Sequence, residues 1–181
     1  MGESYQIKDQ EAAYYLTCQV VGWVDIFSRK NCRDIILESL SYCIEHKGLV
    51  VYAYVIMTNH IHMVVRSECG SLSDTIRDFK RFTSNKILKE VACNRAESRR
   101  EWLGVVFKYH AKYNKRAHEK QFWTHENHAV ELSGNELLDS KVEYIHNNPV
   151  RAGWVENPEG YLYSSARNYA GLSNLLEIEL R

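Results

Sequence analysis

The sequence predicts a single α+β domain built on a ferredoxin-like antiparallel sheet with helices packed on one face. The chain has 181 residues, a length typical of one domain, with 45% apolar and 25% charged residues. Two prolines and nine glycines leave no room for a long linker or a low-complexity region. The predicted elements follow the order strand, helix, two strands, helices, strand, helix, which is a βαβ-βαβ plan. We therefore treat residues 1–181 as one domain, with residues 155–181 as a C-terminal tail.

The first half of the chain supplies three strands and one helix. Residues 13–27 are rich in aromatic and β-branched side chains, as a buried strand is. A helix follows, with Asn31 as its expected N-cap and Gly48 as its stop. The apolar run of residues 49–57 and the segment of residues 60–66 read as the two arms of a hairpin.

Helices dominate the prediction for the second half. Ser71 or Ser73 begins one helix, and residues 97–118 form another, with its apolar side at Trp102, Val105, Val106 and Tyr109. Residues 122–132 read as a strand or hairpin.

The last predicted helix begins at a capping box over residues 133–136, in which Ser133 and Glu136 satisfy exposed amides reciprocally. Its apolar stripe is Leu138, Val142 and Ile145, and Pro149 ends it.

Several classes of protein are disfavoured at this stage. No segment approaches the roughly 18 apolar residues of a membrane helix, and the first residues lack the pattern of a secretory signal, so we expect a cytoplasmic protein without a membrane partner. The five cysteines are odd in number and form no C-x-x-C pair, which indicates reduced structural thiols.

Charge is distributed unevenly although the total is balanced. The 23 basic and 23 acidic residues cancel, but residues 77–120 hold 13 Lys plus Arg against 5 Asp plus Glu. Such asymmetry is typical of a basic face for a polyanion, and it is equally compatible with a pair of solvated helices.

His60 and His62 are the sharpest local pattern. On a strand, residues two apart project from the same face, so both imidazoles point one way while Ile61 and Met63 point the other. Two imidazoles from one strand form half of a site for a divalent ion. An H-x-H pair can also arise by chance and be structural.

Tyr144 and Asn148 form the second pattern. They are four residues apart and share one helical face, away from the apolar stripe. A phenol and an amide there could serve as nucleophile and metal ligand. An exposed tyrosine beside an Asn-Pro helix stop fits the same spacing.

Three segments together resemble the REP-associated tyrosine transposases of the single-tyrosine HUH superfamily. They are residues 54–65 (YVIMTNHIHMVV), 144–155 (YIHNNPVRAGWV) and 161–170 (YLYSSARNYA). The resemblance extends over most of the chain in the same element order. It implies the ferredoxin-like fold and a metal-dependent activity that cleaves and rejoins single-stranded DNA with hairpins or palindromic repeats.

The resemblance also implies roles for individual residues. His60, His62 and Asn148 correspond to the metal ligands, with Mg²⁺ or Mn²⁺ as the ion. Tyr144 corresponds to the nucleophile, which would form a 5′-phosphotyrosine. The oligomeric state stays open between a monomer and a homodimer.

Candidates for contacts with DNA phosphates come from the basic segment and from the second motif. Tyr109, Tyr113 and Phe122 are available for stacking on bases. The candidate phosphate contacts are Lys80, Arg81, Lys112, Lys115, Arg116 and Arg151.

Two other functions fit the same residues. A zinc hydrolase would use His60 and His62 with a third ligand such as His125 or His128. A domesticated DNA-binding protein would keep the fold without cleavage, although such a protein would have no need of the full set His60, His62, Tyr144 and Asn148.

Overall fold

The computed structural model describes residues 6–113 and 119–181. In these residues the strands are β1 (Tyr14–Gln19), β2 (Leu49–Ile56), β3 (His60–Ser67) and β4 (Val130–Glu131). The α-helices in the same ranges are α1 (Lys30–Lys47), α2 (Leu72–Cys93), α3 (Arg100–Lys112), α4 (Asn135–His146), α5 (Asn148–Arg151) and α6 (Ala166–Tyr169). Within these ranges, no helix is both long and apolar enough to cross a membrane.

The strands form one antiparallel sheet in the order β2-β3-β1-β4. This order and the helical crossovers α1 and α2 are those of the ferredoxin-like plan, so the predicted α+β class is confirmed. In the register, Thr17 lies opposite His62 and Gln19 opposite His60. The two histidines are therefore at the end of the central strand β3, beside β1.

The helices cover both faces of the sheet, which corrects the expectation that all of them pack on one. Leu16 of β1 and Met63 of β3 belong to the core formed with α1, α2 and α3. Tyr15 and Val64, their neighbours along each strand, belong to a second core formed with α4. Because strand side chains alternate, β2 and β3 are apolar on both faces, and a helix is needed on each.

Three details of the chain up to the end of α3 differ from the sequence prediction. β1 ends at Gln19, because the chain then turns through short 3₁₀ helices at Val21–Trp23 and Ile26–Ser28. Asn31 lies inside α1, where its amide donates to Glu90. In α3 the buried side chains are Leu103, Phe107 and Ala111, whereas Trp102, Val105 and Tyr109 are exposed. Both stripes of α3 have helical spacing, so periodicity could not choose between them.

The chain after α3 differs from the prediction in three places as well. Only Val130–Glu131 of residues 122–132 is a strand, and Phe122 is buried against Phe107, so it is not available for stacking on bases. The capping box is absent: Gly134 is the N-cap of α4, with φ of +98°, and no side chain caps the helix. α4 ends at His146, and Pro149 lies in the first turn of α5, where its missing N–H costs nothing.

The C-terminal tail packs along the exposed edge of the sheet. The carbonyl of Tyr163 accepts from the backbone N–H of Ile56, and the N–H of Ser165 donates to the carbonyl of Tyr54. Farther along, the N–H of Glu179 donates to the carbonyl of Val51. The tail thus satisfies backbone groups of edge strand β2.

Candidate active site

The two histidines project from β3 toward α4, as the strand alternation predicts. Ile61 and Met63 point into the opposite core. The imidazole rings of His60 and His62 lie with their centroids 4.5 Å apart. His62 is buried and His60 is half-buried, so the pair opens to solvent on the His60 side.

Tyr144 reaches the histidines because α4 packs on the sheet through its apolar stripe. Leu138, Val142 and Ile145 are buried against β2 and β3 in the second core. Tyr144 occupies the flank of that stripe, with its ring centroid 5.7 Å from that of His62.

A hydrogen-bonded anchor fixes the end of α4. The Nε2 atom of His146 lies 2.8 Å from the hydroxyl of Ser165. That hydroxyl also accepts from the backbone N–H of Tyr54 on β2. The motif of residues 144–155 and the motif of residues 161–170 thus meet on β2. Their contact sets the position of α4, the helix that carries Tyr144.

The Nδ1 atoms of both histidines are engaged with oxygen atoms. His60 Nδ1 lies 2.6 Å from the amide oxygen of Asn59, which can only accept, so Nδ1 carries the proton and Nε2 keeps its lone pair. His62 Nδ1 lies 2.8 Å from the hydroxyl of Tyr15 and 2.9 Å from that of Thr17.

Burial keeps both imidazoles neutral. It lowers the pKa of His62 to about 3, assisted by the nearby positive charges of His60, Arg151 and Lys141. Burial also lowers the pKa of His60. A neutral imidazole is the form that binds a metal ion, so the electrostatics of the site suit a ligand role.

Asn148 begins α5 and is buried, with 9% of its surface exposed. Its amide nitrogen has no hydrogen-bond partner within residues 6–113 and 119–181, a costly arrangement for a buried polar group. Across the same residues, no group of three His, Cys, Asp or Glu could hold a metal ion. A divalent ion here would therefore need a donor of another kind beside the two imidazoles, and the amide oxygen of Asn148 stays the predicted third ligand.

Two cations flank the phenol of Tyr144. The guanidinium carbon of Arg151 lies 4.2 Å from the centre of the Tyr144 ring, and Lys141 Nζ lies 5.7 Å from it. Neither cation forms an ion pair with a carboxylate in the part of the chain that the structure describes. Unneutralised positive charge beside a phenol suits the binding of an anionic group such as a phosphate.

The other candidate DNA contacts within the described residues are on α2 and α3. Lys80 and Arg81 line a groove of about 570 Å³ between α2 and residues 120–127. Lys80 donates to the carbonyl of Thr124 and to Asn127, and these bonds connect α2 to the opposite side of the groove. Lys112 is exposed near the end of α3. Lys115 and Arg116 lie outside the described residues.

Sequence reasoning missed Tyr15, Thr17 and Lys141. Lys141 is three residues before Tyr144 on the same helix, so helical spacing could have found it. Tyr15 and Thr17 alternate on β1, but nothing local in the sequence indicates that they face His62.

Comparisons with known proteins give one matching family model and one similar fold. The family model for IS200-like transposases matches residues 23–103, which include both histidines. The structure of a REP-associated tyrosine transposase bound to a REP hairpin is similar with a TM-score of 0.66 and 15% identity, covering 99% of this chain and 92% of that one. A protein assigned as a transposase from Deinococcus radiodurans has a TM-score of 0.43 and 14% identity, covering 81% and 95% of the two chains. No curated protein sequence matches the chain.

The sequence match includes the strand of the two histidines, and the fold likeness spans the whole described architecture, including α4 and the tail. Residues 23–103 are therefore similar to the IS200-like transposases, and the chain has the fold of a REP-associated tyrosine transposase.

Proposed function

We propose that the protein is a metal-dependent single-stranded DNA endonuclease and strand transferase that acts on hairpin or palindromic repeat DNA, with Tyr144 as its nucleophile. One observation carries the proposal: His60, His62 and Tyr144 converge on the same face of the sheet although the sequence separates them widely.

Tyr144 performs the bond exchange. A phenol has an ordinary pKa near about 10, so its attack needs assistance at neutral pH. Its oxygen forms a bond to phosphorus and the bond from phosphorus to the 3′ oxygen breaks. The phenol gives its proton to solvent, and the departing 3′ oxygen takes a proton from solvent. The products are a 5′-phosphotyrosine and a free 3′-hydroxyl. Attack by a 3′-hydroxyl on the same phosphorus breaks the bond to Tyr144 and joins the strands.

Arg151 and Lys141 assist by binding the phosphate oxygens next to the phenol. Their positions beside the Tyr144 ring support this role, since fixed positive charges near the attacking phenol would stabilise the negative charge of the transition state. His60, His62 and Asn148 would hold the divalent ion, Mg²⁺ or Mn²⁺, which when bound polarises the scissile phosphate. Two imidazole ligands favour Mn²⁺ over Mg²⁺.

Hairpin DNA is the substrate that we infer for this chain. A REP hairpin is bound in the similar transposase structure, and the basic segment of this chain supports a polyanionic partner. Arg81 and Lys80 in the groove beside α2, Lys112 on α3 and Arg151 at the site are the described candidates for phosphate contacts. Tyr109 on α3 and Tyr113 directly after this helix are exposed for stacking on unpaired bases.

A covalent adduct tests the proposal. The protein is incubated with labelled single-stranded palindromic DNA and Mn²⁺, and the mixture is resolved under denaturing conditions. Wild type should give a labelled protein band that a protease removes. Tyr144→Phe should give none, whereas Tyr42→Phe, a control at an exposed tyrosine on α1, should match wild type.

The same experiment separates the alternatives. A zinc hydrolase should still cleave as Tyr144→Phe, without an adduct. A non-cleaving DNA-binding protein should retain the DNA and leave it intact in every variant. Either outcome would refute Tyr144 as the nucleophile.

A further inference from the structure

We infer that Tyr15 and Thr17 are positioning residues that hold the His62 ring with its proton on Nδ1, so that Nε2 faces the site as a ligand. The inference rests on the proposed metal-dependent function and deepens it. It concerns two side chains of β1 that neither the sequence motifs nor the comparisons single out.

The contacts come from the pairing of β1 with β3. Thr17 lies directly opposite His62 in the sheet, and Tyr15 is two residues before it on the same face. The hydroxyl of Tyr15 is 2.8 Å and that of Thr17 is 2.9 Å from His62 Nδ1. Both oxygens therefore lie within hydrogen-bond distance of one ring nitrogen.

The bond between the two hydroxyls favours a proton on His62 Nδ1. Thr17 donates its hydroxyl hydrogen to the oxygen of Tyr15 at 3.4 Å, which leaves its lone pairs facing the imidazole. Nδ1–H can then donate to both oxygens as a shared bond. The opposite tautomer would place a hydrogen on Nε2, which would close that nitrogen to any ligand.

Tyr15 also links the imidazole to the nucleophile. Its ring stacks on His62 with centroids 5.4 Å apart and meets Tyr144 edge-on at 6.0 Å. It is only 8% exposed, so the ring is fixed by packing and the hydroxyl can be removed without moving it. The substitution Tyr15→Phe thus removes the hydrogen bond to His62 and keeps the packing of the ring.

The first test reads the tautomer in the metal-free protein. Long-range ¹H–¹⁵N NMR distinguishes a protonated from an unprotonated ring nitrogen. In wild type, His62 should carry its proton on Nδ1. In the double variant Tyr15→Phe/Thr17→Val, the ring should populate both tautomers. If His62 of the wild-type protein is protonated on Nε2, that result alone overturns the inference.

The second test measures Mn²⁺ affinity by calorimetry. The double variant should bind Mn²⁺ about 10–100-fold more weakly, the usual cost of removing a partner of a metal-bound histidine. Tyr54→Phe is the matched control, because its buried hydroxyl lies in the opposite core and has no partner within residues 6–113 and 119–181. Unchanged affinity in the double variant, with a folded NMR spectrum, would also overturn the inference.

The covalent-adduct assay keeps the two proposals apart. If wild type forms no adduct while His62 has the expected tautomer, the proposed function fails and the role of Tyr15 and Thr17 stands. If wild type forms the adduct and the double variant retains the tautomer and the Mn²⁺ affinity, the inference alone fails.

Discussion

Glu97→Gln should destabilise the protein by about 3 kcal/mol at neutral pH. The carboxylate of Glu97 is buried between the start of α1 and the start of α3, with its side chain 3% exposed. Arg29 Nε donates to it at 2.8 Å, and the Nε and backbone N–H of Arg99 also donate to it. Glutamine keeps the shape of this side chain and removes its charge.

The magnitude follows from the pKa of Glu97. The hydrogen bond from Arg29 chiefly lowers this pKa from 4.5 to about 2. At about 1.4 kcal/mol for each pKa unit, the fall corresponds to about 3 kcal/mol of folding free energy. Because the folded pKa is the lower one, this contribution is complete above about pH 4.5. It decreases as the pH falls and is lost near pH 2.

Urea unfolding at pH 7 and at pH 3 measures the effect. The gap in unfolding free energy between wild type and Glu97→Gln should narrow from about 3 kcal/mol to about 1 kcal/mol at the lower pH. Glu156→Gln, a control at an exposed glutamate, should have an unfolding free energy within about 0.5 kcal/mol of wild type at both pH values. Equal stability of wild type and Glu97→Gln at pH 7, or a gap that widens in acid, would refute the reasoning.

Four further variants test the site and its support. Arg151→Met should slow single-turnover cleavage about 10–100-fold with little change in urea stability, since it removes one charged phosphate contact of about 1.5–3 kcal/mol. Ile145→Ala, in the fully buried contact between α4 and the sheet, should cost about 2–5 kcal/mol in urea unfolding. Gly134→Ala should cost about 1–2 kcal/mol in the same assay, because φ at the α4 cap is +98°. Arg81→Ala should reduce the slope of log affinity against log salt by about 0.7 for single-stranded DNA, and an unchanged slope would place the strand outside the groove.

Periodicity predicted the parts of the site that depend on one element. The alternation along β3 set the direction of His60 and His62, and the stripe of α4 indicated which face would dock. The residue roles came from the resemblance of the motifs, and they stay predictions until the chemistry is measured.

Features that depend on tertiary contacts could not be read from the sequence. The approach of Tyr15 to His62 requires β1 to pair with β3 in one particular register, and no local sequence pattern indicates that register. In α3, two stripes with equal spacing competed, and the burial of Phe107 against Phe122 decided between them. The predicted capping box was wrong because the chain enters α4 through Gly134 in a conformation that a serine cap does not share.

The tail along β2 determines how short the chain can be made. A version that ends before residue 163 would lose the Ser165 hydroxyl that joins His146 to the backbone of Tyr54. It would also leave the N–H and carbonyl groups of an apolar edge strand open to other molecules, which is the usual start of intermolecular strand pairing. Such a truncation should therefore aggregate, and the folded unit includes the tail as far as Glu179, whose N–H bonds to that edge strand.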